Sequence, residues 1–268
     1  MTALADFPIT RRWPAAHPDR LQLYGLPTPN GVKVSIMLEE IGLPYEPHLV
    51  DIGKNENKTP EFVSLNPNGK IPAIIDPDGP GGQPMGLFES GAILVYLADK
   101  TGQLTPADPA ARYETLAWVF FQMGAVGPMF GQVGSFNKFA GRSWEDKRPL
   151  ARYVDETRRL LGVLDARLDG RDWLMGADYS IADIATLGWV RKPDRLLRGA
   201  RAGGLRRLRP RRRLAGARPG ASRRAAGPAD PGAAVGVRAQ FQIGGRLSFQ
   251  DASFSSWAAS RKRVASSA

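Results

Sequence analysis

Two hydrophobic rhythms share this chain. Toward its N-terminal end, short apolar runs bounded by Pro or Gly alternate with stretches whose apolar residues fall three and four apart. "LQLYGL" (Leu21–Leu26) is apolar and stopped by Pro27, which predicts a buried strand. In "NGVKVSIMLEEIG", Val32, Ile36, Met37 and Ile41 recur at helical spacing, and Gly42 closes the helix. "YEPHLVDI" predicts a second strand. "TPEFVSLNP", with Pro60 near its start, predicts a short helix or turn. "KIPAII" and "PMGLFES" flank a Pro/Gly-rich loop at Pro77–Pro84, the pattern of a hairpin with a long connection. "SGAILVYLADKTG" predicts a helix capped by Ser90 and ended by Gly102. The order β-α-β-α-β-β-α implies an α/β sandwich.

After the linker "TGQLTPADPAA" the strand signals stop. Arg112 to Phe136 is long and aromatic-rich. Leu150 to Leu168 is amphipathic, with Leu160, Leu161, Leu164 and Leu168 along one side. Both predict helices, so the second domain is expected to be all-α. "YSIADIATLGWVR" begins another helix. Ser180 and Asp183 have capping-box spacing: the Ser oxygen accepts the Asp183 N–H, and the carboxylate reaches back to the Ser180 N–H. An acidic group there also suits the positive end of the helix dipole. The domain boundaries expected are an N-terminal extension at 1–20, an α/β domain at 21–101 and an all-α domain at 108–191. The Pro-rich extension predicts an extended arm or a frayed leader, with a dimer contact as the alternative.

Charge changes this picture at the C-terminal end. The 268 residues carry a net charge of +11, which alone suggests an anionic partner. Residues 1–191 hold 19 basic and 23 acidic residues, a net −4, whereas 192–268 hold 18 and 3, a net +15. There is no cysteine, which excludes disulfides, thiolate metal sites and cysteine nucleophiles. His17 and His48 show no ligand spacing, so no metal is expected. No apolar run reaches the ~18–20 residues of a membrane span. The first twenty residues lack the apolar core of a secretory signal. A cytoplasmic protein without membrane contact is the expectation.

An α/β domain carrying "PTPNG", "NGKIPAI" and "FESGAILVYLADK", followed by helices with "GPMFGQ" and "YSIADIA", resembles the glutathione transferase family. The likeness runs from about Leu21 to Arg191. It is nearest to the Nu-class-like branch, which includes bacterial glutathione-dependent disulfide-bond oxidoreductases and a yeast nitrogen-regulation protein. The resemblance implies a thioredoxin-like α/β domain before an all-α domain. It also implies glutathione as cosubstrate, a small disulfide or electrophile as second substrate, and a homodimer. The activity implied is thiol-disulfide oxidoreductase and/or glutathione transfer, with bound glutathione as the only thiol. A non-catalytic regulator or scaffold is the alternative.

The chemistry required by that ligand agrees. Its thiol, like a free cysteine, has a pKa of roughly 8.5, and N–H donors at a helix start favour the thiolate. "TPNG" lies where the first strand meets the first helix, so Thr28, Asn30 and the Gly31 N–H are expected to point at one sulfur. Thr28 and Asn30 are the catalytic candidates. An ordinary Asn-Gly helix start is the plain alternative. By resemblance, Pro72 is cis and exposes the Ile71 backbone to the cysteinyl unit as an added strand. Ser90 and the first N–H groups of its helix suit the γ-glutamyl carboxylate. Glu89 suits the ammonium group. Asn57 and Lys58 fall where the family holds the glycine end, and Arg152 where an Arg of the helical domain reaches glutathione. Tyr24, on the strand itself, is expected to pack.

Residues 192–268 turn to Arg, Ala, Gly and Pro where the family continues with helices. Removing one base from degenerate codons of Lys192–Gly199 permits Asn-Leu-Ile-Gly-Phe-Tyr-Gly, an apolar helical run. This segment therefore reads as out of frame and disordered. Apolar residues of the last helix, Ile181, Ile184, Leu187, Trp189 and Val190, are then expected to lack cover. The competing reading is a genuine polycation binding nucleic acid non-specifically. Without interleaved aromatics between Arg195 and Ala239 it offers no base stacking, so nucleic acid is not expected as a partner.

Overall fold

The computed structural model describes residues 3–190. The expectations for 192–268 lie outside them. The described chain opens with an α/β layer and closes with helices. Four strands, β1 (Leu21–Gly25), β2 (Tyr45–Leu49), β3 (Ala73–Asp76) and β4 (Met85–Phe88), form one sheet in the order β2-β1-β3-β4. β1 and β2 are parallel, joined through α1 (Gly31–Ile41). β3 pairs antiparallel with both β1 and β4. α2 (Pro60–Leu65) and α3 (Ser90–Thr101) complete this domain. It is a thioredoxin-like α/β domain, and the long hairpin connection falls where Pro and Gly cluster. β1 is buried along its whole length because residues on both faces are covered.

The leader is neither extended nor frayed. Short 3-10 turns occupy Leu4–Asp6 and Pro8–Arg11. Ile9 is buried in one core with Tyr24, Phe62 and Ile75. The Trp13 indole N–H donates to the Leu49 carbonyl at 3.0 Å, and the ring meets Tyr24 and Phe62 edge-on. The proline count suggested an open chain. Four apolar anchors, Leu4, Phe7, Ile9 and Trp13, pack it onto the core instead.

The second half is helical: α4 (Pro109–Phe121), α5 (Gly127–Lys138), α6 (Arg148–Arg167) and α7 (Ile181–Val190). The Asp108 carboxylate caps α4 by accepting the Ala111 N–H. Between α4 and α5 the helix widens to a π segment, Gln122–Val126, just before Pro128, which has no N–H to continue the ladder. α6 buries Val154, Thr157, Leu160 and Leu164, the stripe its spacing predicts.

α7 runs through the middle of this half and packs on α1, α3, α4 and α5. Its residues Ile181, Ile184, Leu187 and Val190 are therefore buried, and the expectation that they lack cover is corrected. Helices earlier in the chain cover them. Its first turn also differs in detail from the expected box. The Asp183 carboxylate does accept the Ser180 N–H, at 3.0 Å. The Ser180 hydroxyl, however, accepts from Ala182 and donates to Asp183, while Asp183 also accepts the Leu174 N–H at 2.8 Å. Burial pushes the Asp183 carboxyl up from its ordinary value, and these donors pull against it.

Candidate active site

Strand register brings the distant motifs together. Tyr24 near the end of β1 pairs with Ala73 at the start of β3, and Ala73 pairs with Phe88 at the end of β4. One end of the sheet, the edge formed by the ends of β1, β3 and β4 rather than by an outer strand, thus carries the β1–α1 turn, the Ile71–Pro72 peptide and the Glu89–Ser90 start of α3. These are the three stretches singled out for glutathione.

The β1–α1 turn is tight. The Thr28 N–H donates to the Leu26 carbonyl at 2.7 Å. A Cβ on residue 31 would lie 1.9 Å from the Leu26 oxygen, so only Gly31 fits. The Thr28 hydroxyl oxygen accepts the Gly31 N–H at 3.2 Å. This corrects the convergence expected there: the Gly31 N–H is turned to Thr28, and the Thr28 O–H hydrogen is what remains for a ligand.

Asn30 caps nothing. Its Oδ1 accepts the Trp189 indole N–H at 2.9 Å. An indole N–H can only donate, so the amide oxygen must face it. The Nδ2 group then points the other way, and no partner engages it among the described residues. α7 reaches the turn because residue 188 is glycine: a Cβ there would lie 2.1 Å from the Pro29 oxygen. Trp189 thus holds a candidate site residue, a contact that sequence reasoning missed in taking it only for core. Nothing local links two positions 159 residues apart; the one cue is that a buried indole N–H needs a partner.

The Ile71–Pro72 peptide is cis, and Pro72 is buried. Asn57 donates from Nδ2 to the Gly69 carbonyl at 2.7 Å, which fastens the Asn57–Lys58 turn to the segment leading into Ile71. The Asn57 Oδ1 is buried with no hydrogen-bond partner among the described residues. Lys58 is exposed and lies over Gly69.

Glu89 is exposed with φ +69 and ψ 113, a conformation costing a non-glycine residue about 1–3 kcal/mol. Its carbonyl accepts the Ile93 N–H, so the strained residue opens α3 while its carboxylate projects outward. Glu89, not Ser90, holds the capping position, which corrects the cap expected at Ser90. Ser90 is the first helical residue and is buried; its hydroxyl lies 3.4 Å from the Lys33 ammonium. Among the described residues α6 packs on α5 and the π segment, and no hydrogen bond or ion pair ties Arg152 to the three stretches above. It is exposed on α6, and its charge helps hold the Glu156 carboxyl down. Tyr24 is buried and stacks on His48, with ring centroids 4.7 Å apart.

Lys33 is the second group missed. It is fully buried, one turn after Asn30 and one turn before Met37, so it shares their helix face. Its ammonium donates to the Gln122 Oε1 of the π segment at 2.7 Å. Burial lowers its pKa from the ordinary lysine range to about 7, and the nearby Glu89 carboxylate pulls upward. Among the described residues no group of three or more His, Cys, Asp or Glu could hold a metal. No described helix is long and apolar enough to cross a membrane.

Comparison with known proteins places this geometry. The glutathione S-transferase N-terminal domain model matches residues 19–99, and the C-terminal domain model matches 125–203. The chain belongs to the glutathione S-transferase family. Among relatives of this transferase, the disulfide-bond oxidoreductase YfcG of Escherichia coli is 48% identical over 171 residues, covering 63% of this chain and 79% of YfcG. A Burkholderia graminis glutathione transferase, solved with two glutathione molecules per subunit, is 71% identical with TM-score 0.71. The match covers 72% of this chain and 81% of that one. A Pseudomonas putida glutathione transferase, solved with one glutathione disulfide per subunit, is 65% identical with TM-score 0.71, covering 73% and 85%.

Proposed function

We propose that this glutathione transferase reduces small disulfides with glutathione as the only thiol, and that Thr28 and Asn30 hold the reacting sulfur. The observation that carries this reading is the convergence of the β1–α1 turn, Ile71 and Glu89–Ser90 on one end of the sheet in a chain without cysteine. Relatives solved with two glutathiones or with glutathione disulfide support it.

The chemistry follows from the donors. The Asn30 Nδ2 and the Thr28 O–H face a sulfur that must carry negative charge to attack. The glutathione thiolate attacks one sulfur of the substrate disulfide; a mixed disulfide forms and the second sulfur leaves as a thiolate, which takes up a proton. A second glutathione thiolate attacks the glutathione sulfur of the mixed disulfide. Glutathione disulfide forms, and the remaining substrate sulfur leaves and is protonated. Two glutathiones are oxidised and one disulfide is reduced. Ile71 presents its backbone to the cysteinyl unit, Pro72 sets its orientation, and Asn57 and Lys58 hold the glycine end. Arg152, exposed on α6, is the residue of the helical domain that reaches glutathione in this reading.

A homodimer in the cytoplasm completes the proposal. Tyr113 and Phe120, seven residues apart on α4, are 71% and 70% exposed, an aromatic face suited to a second copy. The lack of cysteine suits a compartment in which glutathione is kept as thiol.

Glu89 gives the direct test of binding. Its carboxylate is placed to meet the γ-glutamyl ammonium, a charge-assisted contact worth about 1.5–3 kcal/mol. Calorimetric titration with glutathione is expected to show Glu89→Ala binding roughly ten- to hundred-fold more weakly than wild type. Equal affinity removes Glu89 from the site.

A further inference from the structure

A buried cation stands behind the start of α3, and no buried anion answers it among the described residues. Lys33 is 0% exposed. Among the described residues its ammonium has three hydrogen-bonding neighbours: Gln122 Oε1 at 2.7 Å, Ser90 Oγ at 3.4 Å and Met123 Sδ at 3.8 Å. All are uncharged. The positive end of the α3 dipole lies beside it, through the first-turn N–H groups that begin at Ser90. Two positive features are thus set together in a dry place, an arrangement that costs energy until an anion joins them. On the other side, the Gln122 Nε2 is buried and has no partner among the described residues. Among the described residues, the hydrogen bond that orients the Gln122 amide is the one from the Lys33 ammonium.

The charged groups on the packed elements do not compensate. Glu89 acts on Lys33 from a distance but is exposed. On α1 itself, Glu39 is bonded to Tyr45 at 3.0 Å and Glu40 is exposed at the far end. On α3, Asp99 pairs with Arg112 and Lys100 with Asp76 and Asp78. On α7, Asp183 is turned to Ser180 and Leu174. The π segment Gln122–Val126 carries no charge.

We propose that Lys33 is a positioning residue for glutathione binding: through Ser90 it supplies the positive charge that draws the γ-glutamyl carboxylate to the start of α3. The role rests on the glutathione reading above and extends it to a residue buried out of ligand contact. It also couples the two domains, because the same ammonium holds Gln122 of the π segment. Anion binding favours the charged amine, so it draws a proton onto Lys33. The amine is charged below about pH 7 and neutral above it. Affinity for the carboxylate therefore falls as pH rises through that region, by up to about tenfold per unit.

Titration calorimetry with the full chain tests this. S-methylglutathione serves as the probe, since its blocked thiol cannot titrate. An analogue whose γ-glutamyl unit lacks the α-carboxylate is the control. In wild type, S-methylglutathione is expected to bind about fivefold more weakly at pH 8 than at pH 7, because the charged fraction of Lys33 falls from about one half to about one tenth. At pH 8 its binding takes up close to one proton, seen as a heat that changes with the ionisation enthalpy of the buffer. The control shows neither effect. Lys33→Met is expected to bind S-methylglutathione ten- to hundred-fold more weakly and without proton uptake, while binding the control as wild type does. Wild-type binding without proton uptake overturns the role of Lys33, and this arm stands even if Lys33→Met fails to fold. Unchanged affinity in a folded Lys33→Met overturns it too. If wild type binds neither probe, the glutathione reading falls and the role of Lys33 with it.

Discussion

Asn30→Ala is expected to lower the rate of glutathione-dependent disulfide reduction by about ten- to thousand-fold, the range for removing one preorganised donor from a developing anion. The reason lies in how the amide is held. The Trp189 indole N–H takes the Asn30 Oδ1 at 2.9 Å, which leaves Nδ2 as the group able to meet a thiolate. Gly188 allows α7 to sit against Pro29, so the amide is fixed by the helical domain rather than by its own loop. Trp189→Phe keeps the ring and removes the N–H. It is expected to slow the reaction less than Asn30→Ala, by roughly tenfold, because the amide remains but turns freely. Asn30→Asp replaces the donor by an acceptor that repels the sulfur, and the rate is expected to fall at least as far as in Asn30→Ala. Steady-state kinetics of the three variants decide the order. If Trp189→Phe matches wild type while Asn30→Ala does not, the amide is oriented by something other than α7.

Asp183→Ala is expected to destabilise the protein by about 2–6 kcal/mol, out of the ~5–15 kcal/mol a domain holds. The carboxylate accepts the N–H groups of Leu174 and Ser180 and the Ser180 hydroxyl. Alanine leaves two backbone donors buried without partners, at about 1–3 kcal/mol each. The effect concentrates in α7, which lies against α1, α3, α4 and α5 and carries Trp189. Asp183→Asn keeps one acceptor oxygen and is expected to lose less. Chemical denaturation measures both. A loss below about 1 kcal/mol for Asp183→Ala shows that water or a shifted backbone satisfies the donors.

Local pattern carried the elements well. Val32, Ile36 and Met37 marked α1, and a run from Ser90 to Gly102 marked α3 almost to the residue. Such stripes are set by the helical period itself and need no knowledge of partners. The π segment was missed because Gln122–Val126 continues the helical run, and Pro128 marks only that the ladder must change nearby, not that it widens. Ser90 looked like a cap because Ser before an apolar run usually is one. The backbone instead turns at Glu89, through a positive φ that no propensity assigns to glutamate. For the candidate site, the short motifs were visible as text. The long-range pairs Asn30–Trp189 and Lys33–Gln122 were not, since each joins side chains across the two domains. Lys33 did leave a weak signal: a lysine one turn from Met37 lies on the apolar face of α1, where its stem must pack even if its ammonium can snorkel to water.

The most direct measurement is the steady-state reduction of 2-hydroxyethyl disulfide by glutathione, with the full chain as catalyst and NADPH-coupled glutathione reductase as readout. Turnover is expected to saturate with glutathione, to persist after the protein is treated with a thiol alkylator and freed of it, and to fall at least about tenfold in Asn30→Ala. A rate no higher than that without protein, or an Asn30→Ala enzyme as fast as wild type, contradicts a reaction in which bound glutathione is the only thiol and Asn30 holds its sulfur.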